Sequence, residues 1–568
     1  MTIWIILAVI AGLITLAAVS SRGKRRESDL DKLQGSWGRF QSKKYPKDDY
    51  EAIAHYAKSL QDTGFYVDDI TWNDLEMDRI FQAMDNSRSS IGREYLYKTL
   101  RMPAMDPQEA EDTGRSVSWV SRAGQGRERL QLILSKLGFV RNFSFSDYID
   151  SIQSLKSVGS GISILLDILL VAAILVTVLA NAAAGVVMII AVALIATAVY
   201  FKKKPGIEPY FICLSQVSRM VRTGSTLMEE KEIFRNAPDC LKEKVRDISI
   251  CVDVLKPCTK GDWLIADSRS TGSPGEVFMN YIRMFTHVDI IHYNRAIKRM
   301  QGRKKEIMTL MDSFGFLEMI ICAASFREAV PVWSDPVFTR DVRAKELELE
   351  GVIHPLIKDP VPNSVNVPYE DKTNALITGS NASGKSTFLK AVAINAILSQ
   401  AIATACAQKY RAPVFRIYSS MSLRDDLKTS GSYYMVEIRS LKRILEAVDE
   451  ESDVPVLCFI DEVLRGTNTI ERIAASSSIL ESAGKKNAVI FAATHDIELT
   501  SLLEESFVNY HFREEMTSDG IEFSYRLQEG PAVTRNAIAL LESLGYDTEV
   551  TDEAKKRAGY FTQTGIWK

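Results

Sequence analysis

A long apolar run constrains this chain more than any other feature of its sequence. It covers residues 162–201, which is 40 positions, and the lysines at 202–204 follow it directly. One helical crossing of a bilayer takes ~20 residues, so the run is long enough for two crossings. Residues 181–185 lie at its centre, where a tight turn is expected, and Lys156 adds positive charge on the side of the lysines. The sequence predicts a transmembrane helical hairpin over residues 158–204.

The alternative for this run is a pair of helices buried in a soluble core. Almost no polar residue occurs between positions 168 and 199, so neither helix has a polar face for water. Asp167 lies one or two turns inside the first crossing, where a side chain near a helix end can reach the membrane surface. The membrane hairpin is therefore favoured.

A second apolar segment opens the chain. Residues 3–19 are almost wholly apolar, and the basic sequence RGKRR follows at 22–26. A secretory signal peptide carries its charge before the apolar part, so the order here favours an anchor. Because positive charge marks the cytoplasmic side, we expect residues 1–21 to be a transmembrane anchor with the N-terminus outside. The prediction is a multi-pass protein of the cell membrane with cytoplasmic soluble domains.

Composition limits the classes of partner. The 568 residues suggest two or more domains, and the net charge of −3 means that any nucleic-acid surface is a local patch. Seven scattered cysteines without a CxxC pair argue against a disulfide framework or a zinc site. One basic cluster is either a solvated helix face or a surface that contacts a nucleic-acid backbone or anionic lipid headgroups. Its members are Arg295, Lys298, Arg299, Arg303, Lys304 and Lys305.

The pattern of predicted secondary structure changes near residue 345. Before it, apolar periodicity predicts helices, such as 71–85, 281–300 and one from 90 that ends at Met102-Pro103. After it, short β-rich segments alternate with helical ones, which is typical of an α/β fold with a mostly parallel sheet. These segments are residues 374–378, 454–461 and 487–494.

A phosphate-binding motif follows the first of these strands. The sequence GSNASGKS fits GxxxxGK[ST] and precedes a helix that starts near Ser386. Its glycines allow backbone N–H groups to curl around phosphates at the positive end of the helix. Lys385 is predicted to reach the β- and γ-phosphates of ATP, and Ser386 to bind Mg²⁺. The candidate nucleotide-binding residues are Gly379, Ser380, Asn381, Ala382, Ser383, Gly384, Lys385, Ser386 and Thr387.

Two further strands end in polar residues. VLCFIDE ends in Asp461 and Glu462, and the next apolar strand ends in Thr494 and His495. Asp461 is predicted to hold Mg²⁺ through water, and Glu462 to orient or deprotonate the attacking water. His495 is predicted to sense the γ-phosphate or that water. Lys385, Glu462 and His495 are thus the catalytic candidates.

Four motifs in this order resemble the ATPase domain of the MutS mismatch-repair family, within the ABC-type class. They are TGSNASGKSTFLK, DDLKTSGSYYMVE, FIDEVLRGTNT and FAATHDIELT. The resemblance extends to about residue 550, and MDRIFQAMDNSRSSIGREYLYKTLRMPAMD is similar to the start of the family's helical core. It implies an ATPase that uses ATP and Mg²⁺ as a homodimer and that can contact DNA.

The resemblance also implies roles for single residues. Asn381 matches an asparagine of the family's loop, and Ser432 matches the signature serine that reaches the γ-phosphate of the other subunit. Tyr525 falls where the family often has a histidine against the base. The implied organisation is an anchor, a helical core in two parts around the hairpin, and an ATPase domain. The corresponding ranges are 1–21, 28–157, 158–204, 205–340 and 341–568.

Departures from the family leave the function open. No Phe-x-Glu triplet of a mismatch wedge occurs before Gly64, and the helical lever region is short. The sequence therefore predicts a membrane-anchored MutS-like ATPase that acts on mismatched or branched DNA, or on a protein or membrane partner without DNA. It also leaves open an ABC-transporter-like ATPase, although no LSGGQ occurs, and a scaffold that binds ATP without hydrolysing it.

Overall fold

The computed structural model describes most of the chain. The described residues are 28, 30–140, 144–152, 159–261, 274–341, 343–368, 371–380, 383–421, 433–464, 467–517, 520–532, 538, 541–542 and 545–567. They form two compact units that interleave along the sequence. The first holds residues up to 60, 85–98 and 118–325, and the second holds 61–84, 99–117 and 326–568. Each of the five predicted domains is one unbroken range of residues, unlike these units, and the five ranges stay predictions. The predicted anchor at 1–21 lies outside the described residues.

The helices are numbered here in chain order. They are α1 Lys47–Ser59, α2 Asp69–Asp74, α3 Met77–Met84, α4 Ser90–Arg101, α5 Pro107–Arg122, α6 Gln125–Leu134, α7 Phe145–Ile152, α8 Gly161–Leu179, α9 Ala182–Lys203, α10 Glu208–Glu229, α11 Asp239–Leu255, α12 Pro274–Thr286, α13 Val288–Met300, α14 Lys304–Ala329, α15 Lys385–Ile402, α16 Tyr433–Asp449, α17 Thr469–Gly484, α18 Glu498–Leu502 and α19 Thr548–Thr564.

The predicted hairpin forms as two antiparallel helices of the first unit, α8 and α9. The turn between them is Ala180–Asn181, at the start of the segment expected to turn, and the Asn181 side chain caps α9 by accepting from Ala184 N at 3.0 Å. At the other end, Lys203 Nζ donates to Gly159 O at 2.6 Å and lies 3.2 Å from Ser163 Oγ. The hairpin is therefore closed by polar contacts at both ends.

Three helices among the described residues are long and apolar enough to cross a membrane: α8, α9 and α14. Only 17% of the most apolar stretch of α8 and 11% of that of α9 is buried, whereas 78% of that of α14 is buried. Large apolar side chains such as Val178, Val187 and Leu194 are 74%, 67% and 68% exposed. The hairpin thus presents its apolar surface outward, and α14 is a core helix.

The second unit contains two sheets. The larger has the order β10-β9-β4-β8-β7-β6, in which all neighbouring strands run parallel except the β10–β9 edge pair. The smaller is mixed, with the order β1-β5-β2-β3. The strands are β1 Val337–Phe338, β2 Leu347–Val352, β3 Asn363–Val367, β4 Asn374–Thr378, β5 Lys409–Ala412, β6 Arg416–Ser420, β7 Val456–Asp461, β8 Ala488–Thr494, β9 Phe507–Thr517 and β10 Gly520–Glu529.

The central parallel strands β4, β7 and β8 are buried along their whole length, as a sheet covered on both faces requires. The three strands predicted from the sequence are β4, β7 and β8, within two residues of their observed bounds. Because parallel strands all end at one edge, the polar residues that follow β4, β7 and β8 meet there. This edge carries the candidate site.

Two predicted helices are each interrupted by one residue with left-handed backbone. Residues 71–85 do not form one helix, because Glu76 adopts φ 52° between α2 and α3. Residues 281–300 are likewise divided by His287, with φ 47°, between α12 and α13. The prediction of two continuous helices was wrong, since the apolar spacing does not reveal that tertiary contacts fix these two residues outside the helical region.

Candidate nucleotide-binding site

The loop between β4 and α15 has the backbone of a phosphate cradle. Gly379 and Gly384 adopt φ 146° and 108°, which L side chains rarely reach. A Cβ on Gly379 would lie 3.0 Å from both Phe512 O and Ser383 Oγ. Ser383 is itself buried, and its hydroxyl donates to Ser380 O at 2.9 Å. The described part of the loop is thus held by its own hydrogen bonds, with α15 starting at Lys385.

Lys385 is 4% exposed and lies across the loop. Its Nζ donates to Gly379 O at 2.8 Å and to Ser380 O at 2.7 Å, and lies 3.4 Å from His495 Nε2. A buried ammonium held against backbone carbonyls at a helix N-terminus is a compact positive centre for phosphate oxygens.

Ser386 and Asp461 meet at the next position. Ser386 Oγ donates to Asp461 Oδ2 at 2.5 Å, although the two residues are 75 positions apart in sequence. A hydroxyl and a carboxylate side by side are hard oxygen donors, the type that Mg²⁺ uses together with substrate phosphates. The donor set of these two residues therefore fits Mg²⁺.

Glu462 and His495 form the polar wall beside that pair. Glu462 Oε1 lies 2.9 Å from His495 Nε2, and both side chains are partly exposed. The Glu462 backbone has φ 59° and its N–H donates to Ala493 O on β8 at 2.9 Å. A non-glycine residue in this conformation is costly and typical of functional turns. The chain thus turns sharply after β7 and directs a carboxylate toward the histidine.

An ion pair that the motifs did not reveal supports the His495 loop. Arg472, in α17, makes a forked contact with the Asp496 carboxylate, at 2.8 and 2.6 Å. The backbone N–H of Asp496 donates to Thr494 Oγ1 at 3.0 Å. The hydrogen bond to Asp496 is the largest cause that raises the pKa of Arg472. Residues on both sides of His495 are therefore fixed, and the bidentate geometry of the pair adds orientation as well as energy.

A cavity of about 500 Å³ opens beside the loop. Its wall includes Lys385, Ser386, Thr387, Glu462 and Tyr525. Tyr525 is 46% exposed, and a Cβ on Gly384 would lie 3.3 Å from its ring. Further lining comes from the end of β2, the start of β3 and the segment between them, which carried no motif. Together they contribute Val352, His354, Ile357, Lys358, Asp359, Pro360, Val361 and Asn363.

A second contact that no motif revealed fixes the start of α15. Glu76, at the break between α2 and α3, lies 2.8 Å from Lys390 Nζ in α15. The hydrogen bond from Lys390 is the largest cause that lowers the pKa of Glu76. No sequence signal indicates this contact, because the apolar spacing of residues 71–85 does not reveal the helix break at Glu76.

Most of the predicted site residues converge at this edge of the sheet. The converging residues are Gly379, Ser380, Ser383, Gly384, Lys385, Ser386, Thr387, Asp461, Glu462, His495 and Tyr525. Asn381, Ala382 and Ser432 lie outside the described residues, so their assignments stay predictions.

The chain is similar to known proteins over this region. The family described as MutS domain V matches residues 375–562. A protein named "DNA mismatch repair protein MutS" from Natronomonas pharaonis is 34% identical over 226 residues, which cover 38% of this chain and 26% of the relative.

Two further relatives match to a similar extent. A protein of the same name from Thermus thermophilus is 30% identical over 222 residues, covering 38% of this chain and 26% of the relative. "DNA mismatch repair protein MutS 2" from Halobacterium salinarum is 32% identical over 219 residues, covering 37% and 25%. The matched part thus spans about a quarter of the length of these relatives.

Proposed function

The chain belongs to the MutS family through its C-terminal part, and from this premise we propose that it is a membrane-anchored ATPase. The observation that carries the ATPase proposal is the convergence of Lys385, Ser386, Asp461, Glu462 and His495 beside one cavity. These residues come from the ends of three different strands, and together they supply the charges that phosphoryl transfer needs.

The proposed mechanism assigns each residue a task. Lys385 and the N-terminus of α15 bind the β- and γ-phosphates of ATP. Ser386 and Asp461 would hold Mg²⁺, which would supply charge neutralisation at the phosphates. Glu462 Oε1 accepts a proton from the attacking water, and the 2.9 Å contact with His495 Nε2 holds the carboxylate in one orientation.

The test is the variant Glu462→Gln. We expect kcat for ATP hydrolysis to fall about 10²- to 10⁴-fold with little change in ATP affinity, because the amide cannot accept the proton. Glu504→Gln, at an exposed position after α18, is the matched control and is expected to leave kcat unchanged. Unchanged turnover in Glu462→Gln would contradict the assigned role and favour a scaffold that binds ATP without hydrolysing it.

We extend the proposal to a homodimer switched by ATP, with Ser432 of each subunit completing the site of the other, as the resemblance implies. Mixing Lys385→Ala and Ser432→Ala chains tests this. If sites are shared, half of the dimers are mixed and one of their two sites is intact, so about a quarter of the wild-type activity returns. Each variant is measured alone as the control, and a mixture no more active than the two alone would mean that each subunit holds its own site.

We also propose contact with DNA, since the relatives are named as DNA mismatch repair proteins. All six residues of the basic cluster at 295–305 are exposed in the first unit. A gel-shift titration with duplex, mismatched and branched DNA is expected to show binding that weakens with salt.

A triple variant that removes three positive charges from the cluster makes this test more specific. Lys298, Arg299 and Lys304 changed to Gln should reduce the salt dependence, by about one unit of slope per lost phosphate contact. Lys555, Lys556 and Arg557 changed to Gln, on the exposed face of α19, remove equal charge elsewhere and serve as the control. Absence of salt-sensitive binding to every DNA would favour an ATPase that acts on a protein or membrane partner.

The membrane part of the proposal rests on the outward-facing apolar surface of α8 and α9. Helices of 19 and 22 residues match the thickness of a bilayer core. Alkaline carbonate extraction of membranes should leave the full chain in the pellet, and protease should reach both soluble units from the same side. Release by carbonate would contradict the hairpin as a membrane span.

A further inference from the structure

Helix α12 buries an arginine and exposes two large apolar side chains. The guanidinium-bearing Arg283 is 5% exposed, whereas Val277 and Tyr281 are 47% and 55% exposed. Arg283 Nη1 donates to Asn280 Oδ1 at 2.9 Å, so the exposed Asn280 amide already has a partner. A surface helix in water shows the opposite arrangement, with apolar residues inward and charges outward.

Apolar residues form one stripe along this helix. Val277, Tyr281 and Phe285 are four residues apart and therefore lie along one side; Val277 and Tyr281 are exposed, and Phe285 is half-buried. The rings of Tyr281 and Phe285 stack, with centroids 6.4 Å apart and planes 18° from parallel. Together they make a continuous aromatic and aliphatic strip along a helix of 13 residues, which is ~20 Å long.

This helix packs against both helices of the hairpin. At its C-terminal end, His287 Nε2 lies 2.9 Å from Ala196 O, and the next turn is fixed by Tyr200 OH, which donates to Asp289 Oδ2 at 2.9 Å. Ala196 lies seven residues before Lys203, which is roughly 10 Å along α9. Contact with α12 thus reaches past the lysine-bearing end of the hairpin into its apolar section.

The depth of α12 relative to the lysines at 202–204 indicates what its exposed side contacts. If the lysines at 202–204 lie at the membrane surface, a helix end at the level of Ala196 lies below that surface. Tyrosine is enriched at this level, because its ring is apolar and its hydroxyl reaches water. We propose that α12 is an interfacial helix whose Val277–Tyr281–Phe285 strip contacts lipid at the boundary between headgroups and acyl chains. The inference rests on the proposed membrane insertion of the hairpin and adds a third lipid-contacting element.

The test uses the full chain reconstituted in vesicles of phosphatidylcholine and phosphatidylglycerol. An environment-sensitive fluorophore is attached to a cysteine at position 281 (Tyr281→Cys), in a Cys240→Ser background. Quenching is then measured with nitroxides on the lipid headgroup, with nitroxides deep in the acyl chain, and with a water-soluble quencher. Ile190→Cys, in the apolar centre of α9 and 55% exposed, reports membrane insertion of the hairpin. Ile250→Cys, on α11 of the same unit and 54% exposed, is the control away from the hairpin.

We expect the probe at 281 to be quenched most by headgroup nitroxides, the probe at 190 by deep nitroxides, and the probe at 250 only from water. Quenching of 281 from water alone, with 190 still in lipid, would overturn this inference and leave the proposed membrane anchoring intact. Shielding of 281 from all three quenchers would mean that a protein surface or a second copy covers the strip, and would also overturn it. A probe at 190 that is quenched only from water would instead contradict the proposed membrane anchoring.

Discussion

The hairpin α8–α9 and the core helix α14 differ in what surrounds them. All three helices are long and apolar enough to cross a membrane, yet 78% of the apolar stretch of α14 is buried against at most 17% for the hairpin. Their apolarity differs as well, with a mean hydropathy of 2.9 for α8 and 2.6 for α9 against 1.6 for α14. The contrast extends to the polar residues that each helix carries.

The polar groups of α14 have partners far away in sequence. Glu318 accepts from Ser89 Oγ at 2.5 Å and from Arg88 N at 2.7 Å, and Asp312 accepts from the Tyr56 hydroxyl. In the hairpin, Thr177 and Thr197 donate to carbonyls four residues earlier in their own helices, both at 2.8 Å. A polar group satisfied within its own helix is compatible with lipid, whereas one satisfied from another element ties its helix into a protein core.

The largest expected effect comes from a charge placed in each helix. Leu317→Asp in α14 puts a carboxylate at a position that is 0% exposed, and we expect the free energy of unfolding to fall by about 5 kcal/mol or more. Leu194→Asp in α9, at a position 68% exposed, should leave unfolding of the chain outside the hairpin nearly unchanged and weaken membrane insertion by about 3 kcal/mol. Thermal unfolding in detergent and carbonate extraction from membranes measure the two effects.

An exchange of these effects between the two variants would contradict the difference between the hairpin and α14. Unfolding caused by Leu194→Asp would mean that the hairpin is a core element like α14. Normal stability of Leu317→Asp would mean that α14 does not hold the first unit together.

A smaller effect is expected from pH. Burial raises the pKa of Glu318 to about 7, from an ordinary value of 4.5, so the folded chain holds this proton more tightly than the unfolded chain does. The stabilisation is complete below pH 4.5 and is lost as pH rises through 7, by about 3 kcal/mol in the free energy of unfolding. Glu318→Gln should remove this part of the pH dependence. Denaturant unfolding at pH 4.5, 6 and 7.5 measures it, and an equal slope in both proteins would contradict the assignment.

The smallest effect is expected from adding a methyl group at a glycine in each of two close helix contacts. A Cβ on Gly315 of α14 would lie 2.5 Å from Tyr95 Cβ, and a Cβ on Gly185 of α9 would lie 2.5 Å from Thr177 Cα. Gly315→Ala should lower the free energy of unfolding by about 1–3 kcal/mol, as overpacking does. Gly185→Ala should leave unfolding unchanged and instead widen the hairpin.

The widening can be measured between spin labels at Val178 and Val186, which are both exposed near the turn. A longer label distance with normal stability is the expected result for Gly185→Ala. Reduced stability with an unchanged distance would place Gly185 in a core of the same kind as Gly315.

Sequence predicted those parts of the fold that depend on local pattern. The hairpin, expected from residues 162–201, appears as α8 and α9, and the strand expected at 374–378 is β4. Glu76 and His287 were missed because their left-handed backbones depend on contacts with Lys390 and Ala196, which lie far along the chain. The exposed apolar strip of α12 was missed for the same reason, since only its packing shows which side is outward.

The site was predictable where one motif follows one strand. Lys385, Ser386, Asp461, Glu462 and His495 meet because parallel strands end at a common edge. Other contributors had no such signal. The pair Arg472 and Asp496, and the cavity wall at 352–363, depend on how a helix and a loop pack on that edge.

The left-handed backbone of Glu462 sets the stability of its turn against the identity of its side chain. A glycine would adopt φ 59° without the penalty of a Cβ, so Glu462→Gly would relax the turn by about 1 kcal/mol. Selection for thermal robustness alone would therefore favour losing the proposed water-activating carboxylate. On the proposed function, a lineage that keeps glutamate here accepts a less stable turn in exchange for turnover, and a glycine at this position in a descendant would remove the proposed water-activating group.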